Sequence, residues 1–185
     1  DNTEINMATS DSRVAVKAGK SKFNLQTLPA VDYPVMTKAI GTETVSITIP
    51  QNTLKSLFKQ VEFAMAQQDI RYYLNGLLFE IDGNRLNIVG TDGHRLSFTS
   101  TELSRSYDKH NIIIPRKTII ELIKLLDDTD NEVTVEVSAT QVNFSFNDIK
   151  LITKVIDGKF PDYTRVIPVG HQNNFTVDRM TVLLA

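Results

Sequence analysis

The sequence contains no cysteine, so neither disulfides nor thiolate-bound metals can hold the fold or do chemistry. No apolar run approaches the ~20 residues needed to span a bilayer, and the opening DNTEINMATS has neither a basic start nor an apolar stretch. A cytoplasmic address with no membrane contact is the expectation. A glycine-rich phosphate loop is missing, which argues against nucleotide hydrolysis. The three histidines, His94, His110 and His171, are too far apart for metal-ligand spacing, and no metal or other cofactor is expected. Positive charge does not dominate either: 20 Lys and Arg face 22 Asp and Glu, a net charge of −2, so bulk attraction cannot bring the chain to nucleic acid.

Enzymatic chemistry lacks a plausible constellation. Asp92, His94 and Ser97 could be imagined as a hydrolytic group, but they fall in one short segment with no Gly-x-Ser-x-Gly elbow. Strand alternation would also send His94 and Ser97 to opposite faces. A non-catalytic protein is expected.

What the chain does contain is a repeat. VSITIPQNTLKSLFKQV from Val45 aligns with HNIIIPRKTIIELIKLL from His110, matching Pro50 to Pro115 and Thr53 to Thr118. In each copy a short alternating strand runs into a proline at the predicted first helical position. The following helices carry apolar stripes, Leu54, Leu57, Phe58, Val61 and Met65 in one and Ile119, Leu122, Ile123 and Leu126 in the other. After each helix a run of strands is predicted. The first set is Tyr72 to Ile81, a turn at Asp82-Gly83-Asn84, Leu86 to Thr91, and His94 to Leu103. The second alternates at Val133, Val135 and Val137, then at Val142, Phe144 and Phe146, and ends with Ile149 to Ile156. The pattern predicts an α+β domain of two pseudo-symmetric halves, with two helices packed on antiparallel strands. Lys55, Lys59, Arg116, Lys117 and Lys124 lie on the helices, whereas Asp127, Asp128, Asp130, Glu132 and Glu136 are bunched after the second.

A fainter echo recurs over a longer period. Phe175-Thr176-Val177 and Thr181-Val182 repeat Ile47-Thr48-Ile49 and Thr53-Leu54. Lys22-Phe23-Asn24-Leu25 followed by Tyr33-Pro34 likewise resembles Lys150-Leu151-Ile152-Thr153 followed by Phe160-Pro161. The start at Asp1 and the finish at Val182-Leu183-Leu184-Ala185 inside a predicted helix suggest a piece of a longer protein.

Five motifs, FNLQTLPAVDYP, QQDIRYYLNGLLFE, TDGHRL, IIIPRKTIIEL and KVIDGKFPDYTRVIP, make the chain resemble the bacterial DNA polymerase III beta subunits, the sliding clamps, over essentially its whole length. The resemblance implies the DNA-clamp fold. It reads residues 1–44 as the end of a first clamp domain, 45–172 as a complete second and 173–185 as the start of a third. It implies a homodimeric six-domain ring around duplex DNA that acts as a processivity factor, opened by a clamp loader and tethering polymerase subunits and repair proteins through a short clamp-binding peptide. A fragment lacking the dimer-forming parts would be monomeric. By the same resemblance Gln68, Tyr72, Tyr73, Arg116 and Lys117 are DNA-binding positions, with Lys55 and Lys59 as further candidates. Leu74, Thr91, Gly93, His94, Arg95, Leu96, Pro161, Arg165 and Val166 are peptide-pocket positions.

Sliding needs weak, sequence-blind phosphate contacts, which scattered helix cations suit, although an ordinary solvated face has the same pattern. A peptide pocket needs apolar wall with a few polar groups to set register. Asp92-Gly93 is also a hairpin-turn signal; turn and pocket rim are compatible. The competing class is a peptide-binding scaffold unrelated to DNA, which would have no use for two basic helices.

Overall fold

A computed structural model describes residues 3–33, 44–170 and 172–185. The Pro34 end of the FNLQTLPAVDYP motif and His171 lie outside the described residues. Two compact units are present, Asp1–Lys38 and Ala39–Ala185.

The first unit is a three-stranded antiparallel meander, β1 (Ile5–Ser10), β2 (Arg13–Ala18) and β3 (Ser21–Gln26). Met7, Val16 and Phe23 are cross-strand neighbours on one face.

In the second unit β4 (Val45–Pro50) leads into α1 (Gln51–Val61), and the second repeat copy leads into α2 (Arg116–Leu125). Pro50 and Pro115 are not the first helical residues. Each is the last residue of a strand and the helix N-cap, with ψ near 140°, because proline's fixed φ also suits extended backbone. The orphan amides that follow find loop carbonyls: Gln51 N donates to Asn131 O at 2.9 Å, Asn52 N to Thr129 O at 3.0 Å and Arg116 N to Asn75 O at 3.0 Å. The Gln51 side chain is buried; its Oε1 accepts from Asp127 N at 3.0 Å.

Both expected stripes point inward. Leu54, Leu57, Phe58, Val61, Ile119, Leu122 and Leu126 are buried in one core with Phe79, Phe144 and Phe146 from the sheets, and Ile123 packs against its edge. Burial of one such side chain contributes roughly 1.5–3 kcal/mol, so the stripes hold both helices on the strands. The helices also contact each other.

One sheet has the order β4-β7-β8-β9, where β7 is Glu132–Val137, β8 is Gln141–Phe146 and β9 is Ile149–Lys154. The other is built from extended chain over β5 (Gly76–Thr91) and β6 (Leu96–Pro115). The strand before each helix pairs with the strand after the other helix, and in the same register: Pro50 faces Glu132, and Pro115 faces Gly76. That exchange welds the halves into one domain.

The expected strand at Tyr72 does not begin there. Tyr72–Leu74 is a 3-10 turn, and extended chain starts at Gly76. Gly76 lies so close to β6 that an added Cβ would be 2.4 Å from Ile114 O. The strand after the hairpin runs from Leu96 rather than His94, because the loop from Asp92 to Arg95 lies between the paired Thr91 and Leu96.

Candidate functional site

Between Val61 and Ile70 the chain leaves α1 through a 3-10 turn at Glu62–Ala64 and a loop with Gln68 at φ 56°. Gln68 is exposed there. Tyr72 is 58% exposed and Tyr73 half-buried, their rings edge to face at 5.8 Å. Gly158 permits this packing, since a Cβ on it would stand 3.2 Å from Tyr73 Cβ.

Arg116 and Lys117 begin α2 at the same end of the helix pair. Lys117 is exposed. The Arg116 guanidinium donates to Glu62 O at 3.0 Å and Met65 O at 3.4 Å, so it ties the start of α2 to the end of α1 and places a positive charge at that helix end. Lys55 is paired with Asp128 at 3.0 Å; Lys59 is exposed. The five expected DNA-binding positions therefore gather where α1 ends and α2 begins, all exposed or half-buried, with the Arg116 guanidinium committed to backbone.

The nine expected peptide positions divide. Leu74 and Thr91 are buried. Gly93, His94 and Arg95 form the turn between β5 and β6, with Gly93 at φ 89°. The Asp92 carboxylate accepts from His94 N at 2.9 Å, Arg95 N at 3.0 Å and Arg95 Nε at 3.1 Å. These two amides, the first above all, hold its pKa below the usual value. Thr91 Oγ1 accepts from Gly93 N at 3.1 Å and donates to Arg95 O at 2.7 Å. Ser97 Oγ donates to Gln60 O on α1 at 2.6 Å, so Asp92 serves the backbone of its own turn and Ser97 that of the helix.

Leu96 packs on a small second core of Leu78, Val89, Ile113, Phe160 and Tyr163. Phe98 stacks on Tyr163 at 5.7 Å. Pro161, Arg165 and Val166 are exposed on the chain that leaves this core, with Arg165 paired to Asp162 at 2.9 Å. His94 and Arg95 border a hollow of about 340 Å³ with Phe63, Asp69 and Arg116. Pro161 borders a cleft of about 570 Å³ with Glu80, Lys109 and Phe160. Turn and linker thus share a supporting core but open onto different hollows.

Residues absent from the expected set do much of the holding. Glu80 is buried and accepts from Tyr163 Oη at 2.8 Å and Asn87 Nδ2 at 3.1 Å. Burial, then this carboxylate, pushes the Tyr163 phenol well above its ordinary pKa. Asp69 and Arg71 form an ion pair at 2.8 Å, and hydrogen bonds from Arg71 take the Asp69 carboxyl down to about 2. No local pattern marks these residues, because Glu80 and Tyr163 meet across 83 positions and Arg71 reaches Asp92 across 21.

Two like halves exchanging strands under a helix pair define the DNA-clamp fold. The chain belongs to the DNA polymerase III beta subunit family, whose central-domain model matches residues 48–162. It is 42% identical over 165 residues to the beta sliding clamp of Escherichia coli strain K12, covering 89% of this chain and 44% of that protein. The crystal structure of the DNA polymerase III subunit beta from Pseudomonas aeruginosa superposes with a TM-score of 0.83 at 43% identity, covering 91% of this chain and 46% of the other. A Pseudomonas aeruginosa sliding clamp bound to griselimycin gives 0.82 at 42% identity over 92% and 46%. The chain spans about half the length of the curated relatives it matches.

Proposed function

We propose that the chain is part of a bacterial sliding clamp, a non-catalytic, cytoplasmic processivity factor that encircles duplex DNA. The observation that carries this is the helix pair: α1 and α2 lie side by side on the sheets, joined by Arg116, with Lys59 and Lys117 exposed. A closed ring cannot leave its track sideways, so topology does the work of affinity and a few phosphate contacts suffice.

Residues 1–44 are read as the end of a first clamp domain, 45–172 as the second and 173–185 as the start of a third. A single displacement along the chain supports this. It takes Gln51, the first residue of α1, to Arg179, the first of α3 (Arg179–Leu184). The same step carries β2 and β3 onto β8 and β9 and turns the pair Arg13↔Gln26 into Gln141↔Lys154. In the full-length protein such domains would form a homodimeric ring, opened by a clamp loader and serving polymerase subunits and repair proteins.

The partner peptide is assigned to the surface around Leu96, Pro161 and Val166, with Gly93, His94, Arg95 and Arg165 setting its register. The exposed valine and proline beside a buried aromatic core support an apolar anchor site. Small-angle scattering of the full-length protein tests the ring: a hollow envelope is expected, and a compact filled particle rejects it.

A further inference from the structure

The expected DNA-facing loop and the expected peptide-site turn are bolted together by one side chain. Arg71 Nε and Nη2 donate to the two Asp69 carboxylate oxygens at 3.0 and 2.8 Å, and Nη2 also donates to Asp92 O at 3.1 Å. The Nη1–Nη2 edge of the guanidinium points at Gly93: a Cβ there would be 2.8 Å from Nη1 and 3.2 Å from Nη2. At φ 89° Gly93 already has a conformation that suits glycine, and the guanidinium fills the space a side chain would need.

Both ends of the strut are anchored. Asp69 N donates to Asn75 Oδ1 at 2.9 Å, and Asn75 Nδ2 donates back to Asp69 O at 2.9 Å. The turn is stiffened by the Asp92 carboxylate and the Thr91 hydroxyl. Without Arg71 the turn can still form its own hydrogen bonds, but it loses the tie that holds it still and opens more often.

We infer that Arg71 is the positioning residue of the partner-peptide site, setting where the Gly93–His94–Arg95 turn stands relative to the loop that carries Gln68. This rests on the peptide-site reading above. The role requires a planar fork: a lysine ammonium is a compact point charge and lacks the rigid edge that spans both Asp69 carboxylate oxygens and reaches the Asp92 carbonyl at once.

The test measures binding of a fluorescent Gln-x-x-Leu-Phe peptide to the full-length protein. Arg71→Ala is expected to weaken binding about fivefold or more, through loss of a charge-assisted bidentate contact, and Arg71→Lys to rescue little of it. Gly93→Ala is expected to cost a larger factor when Arg71 is present than in the Arg71→Ala background, where only the φ strain remains. Wild-type binding by Arg71→Ala, or an equal Gly93→Ala factor in both backgrounds, overturns the inference. Leu96→Ala and Val166→Ala are the controls. If they too bind as wild type, the peptide-site reading has failed, and the positioning claim is then judged without peptide. Arg71→Ala should speed hydrogen exchange at the His94 and Arg95 amides by about tenfold, and unchanged exchange overturns it. Arg71→Gln replaces Arg71→Ala should the latter unfold.

Discussion

Asn87 Nδ2 donates to the Glu80 carboxylate at 3.1 Å, although both residues belong to one run of extended chain. Straight strand over that interval would separate them by roughly 23 Å, far beyond the reach of the two side chains. The chain must therefore fold back at Gly83, where φ is 59° and the register against β6 shifts on both sides. The Asp82-Gly83-Asn84 turn expected from the sequence is thus the tip of a hairpin within β5. In the second half Asn143 donates to Glu136 at 3.4 Å across the β7–β8 pair, so the same Glu–Asn rung occurs in both halves.

Removing the Asn87 donor leaves a buried carboxylate one partner short. Asn87→Ala is expected to destabilise the domain by ~1–3 kcal/mol, and Asn143→Ala by less because its hydrogen bond is longer. Urea unfolding of both variants checks this; equal or negligible losses would reject the hairpin rung as a structural element.

Much of the fold was legible because it is repeated. The step that carries Glu80 and Asn87 onto Glu136 and Asn143 is nevertheless shorter than the one that carries Pro50 onto Pro115, and the difference is an insertion. The stretch from Gln51 at the start of α1 to Gly76 at the start of β5 is longer than its counterpart from Arg116 to Glu132. The extra chain falls where Gln68, Asp69, Arg71, Tyr72 and Tyr73 lie. Pattern matching between halves stops there, which is why Tyr72 was expected on a strand instead of in a 3-10 turn. The same gap hid Arg71, whose partner Asp92 is reached only through the fold. Local consistency gives way at this insertion, where the proposed site residues lie.

The Tyr163–Glu80 hydrogen bond makes a pH prediction. The phenol's pKa is raised in the folded state, so its contribution to stability is complete below the ordinary value near 10 and is lost as pH climbs above that. Ultraviolet titration should show one tyrosine ionising only with alkaline unfolding, and Tyr163→Phe should remove that late step. A titration in which all tyrosines ionise together near pH 10 counts against the buried pair.

Gly90 sits under the end of α1, where an added Cβ would lie 2.7 Å from Val61 O. Backbone cannot swing aside as a side chain can, so Gly90→Ala should cost ~1–3 kcal/mol by overpacking. Thermal unfolding measures it, and an unchanged midpoint would show that the helix end shifts freely.

The two cations at the start of α2 should separate by experiment. Lys117 is exposed with its ammonium available to a phosphate, whereas Arg116 is half-buried and its guanidinium serves Glu62 O and Met65 O. In the full-length protein Lys117→Ala is expected to weaken DNA contact uniformly across sequences and to reduce the slope of log K against log salt by ~1, with thermal stability unchanged. Arg116→Ala should do the reverse: a lower unfolding midpoint from loss of the tie between α1 and α2, and little change in slope. If Arg116→Ala instead lowers the slope while the midpoint holds, its carbonyl contacts are dispensable and the residue belongs with the phosphate-binding set. If Lys117→Ala leaves the slope untouched, its exposure is that of an ordinary solvated lysine and it drops out of the proposed phosphate-binding set.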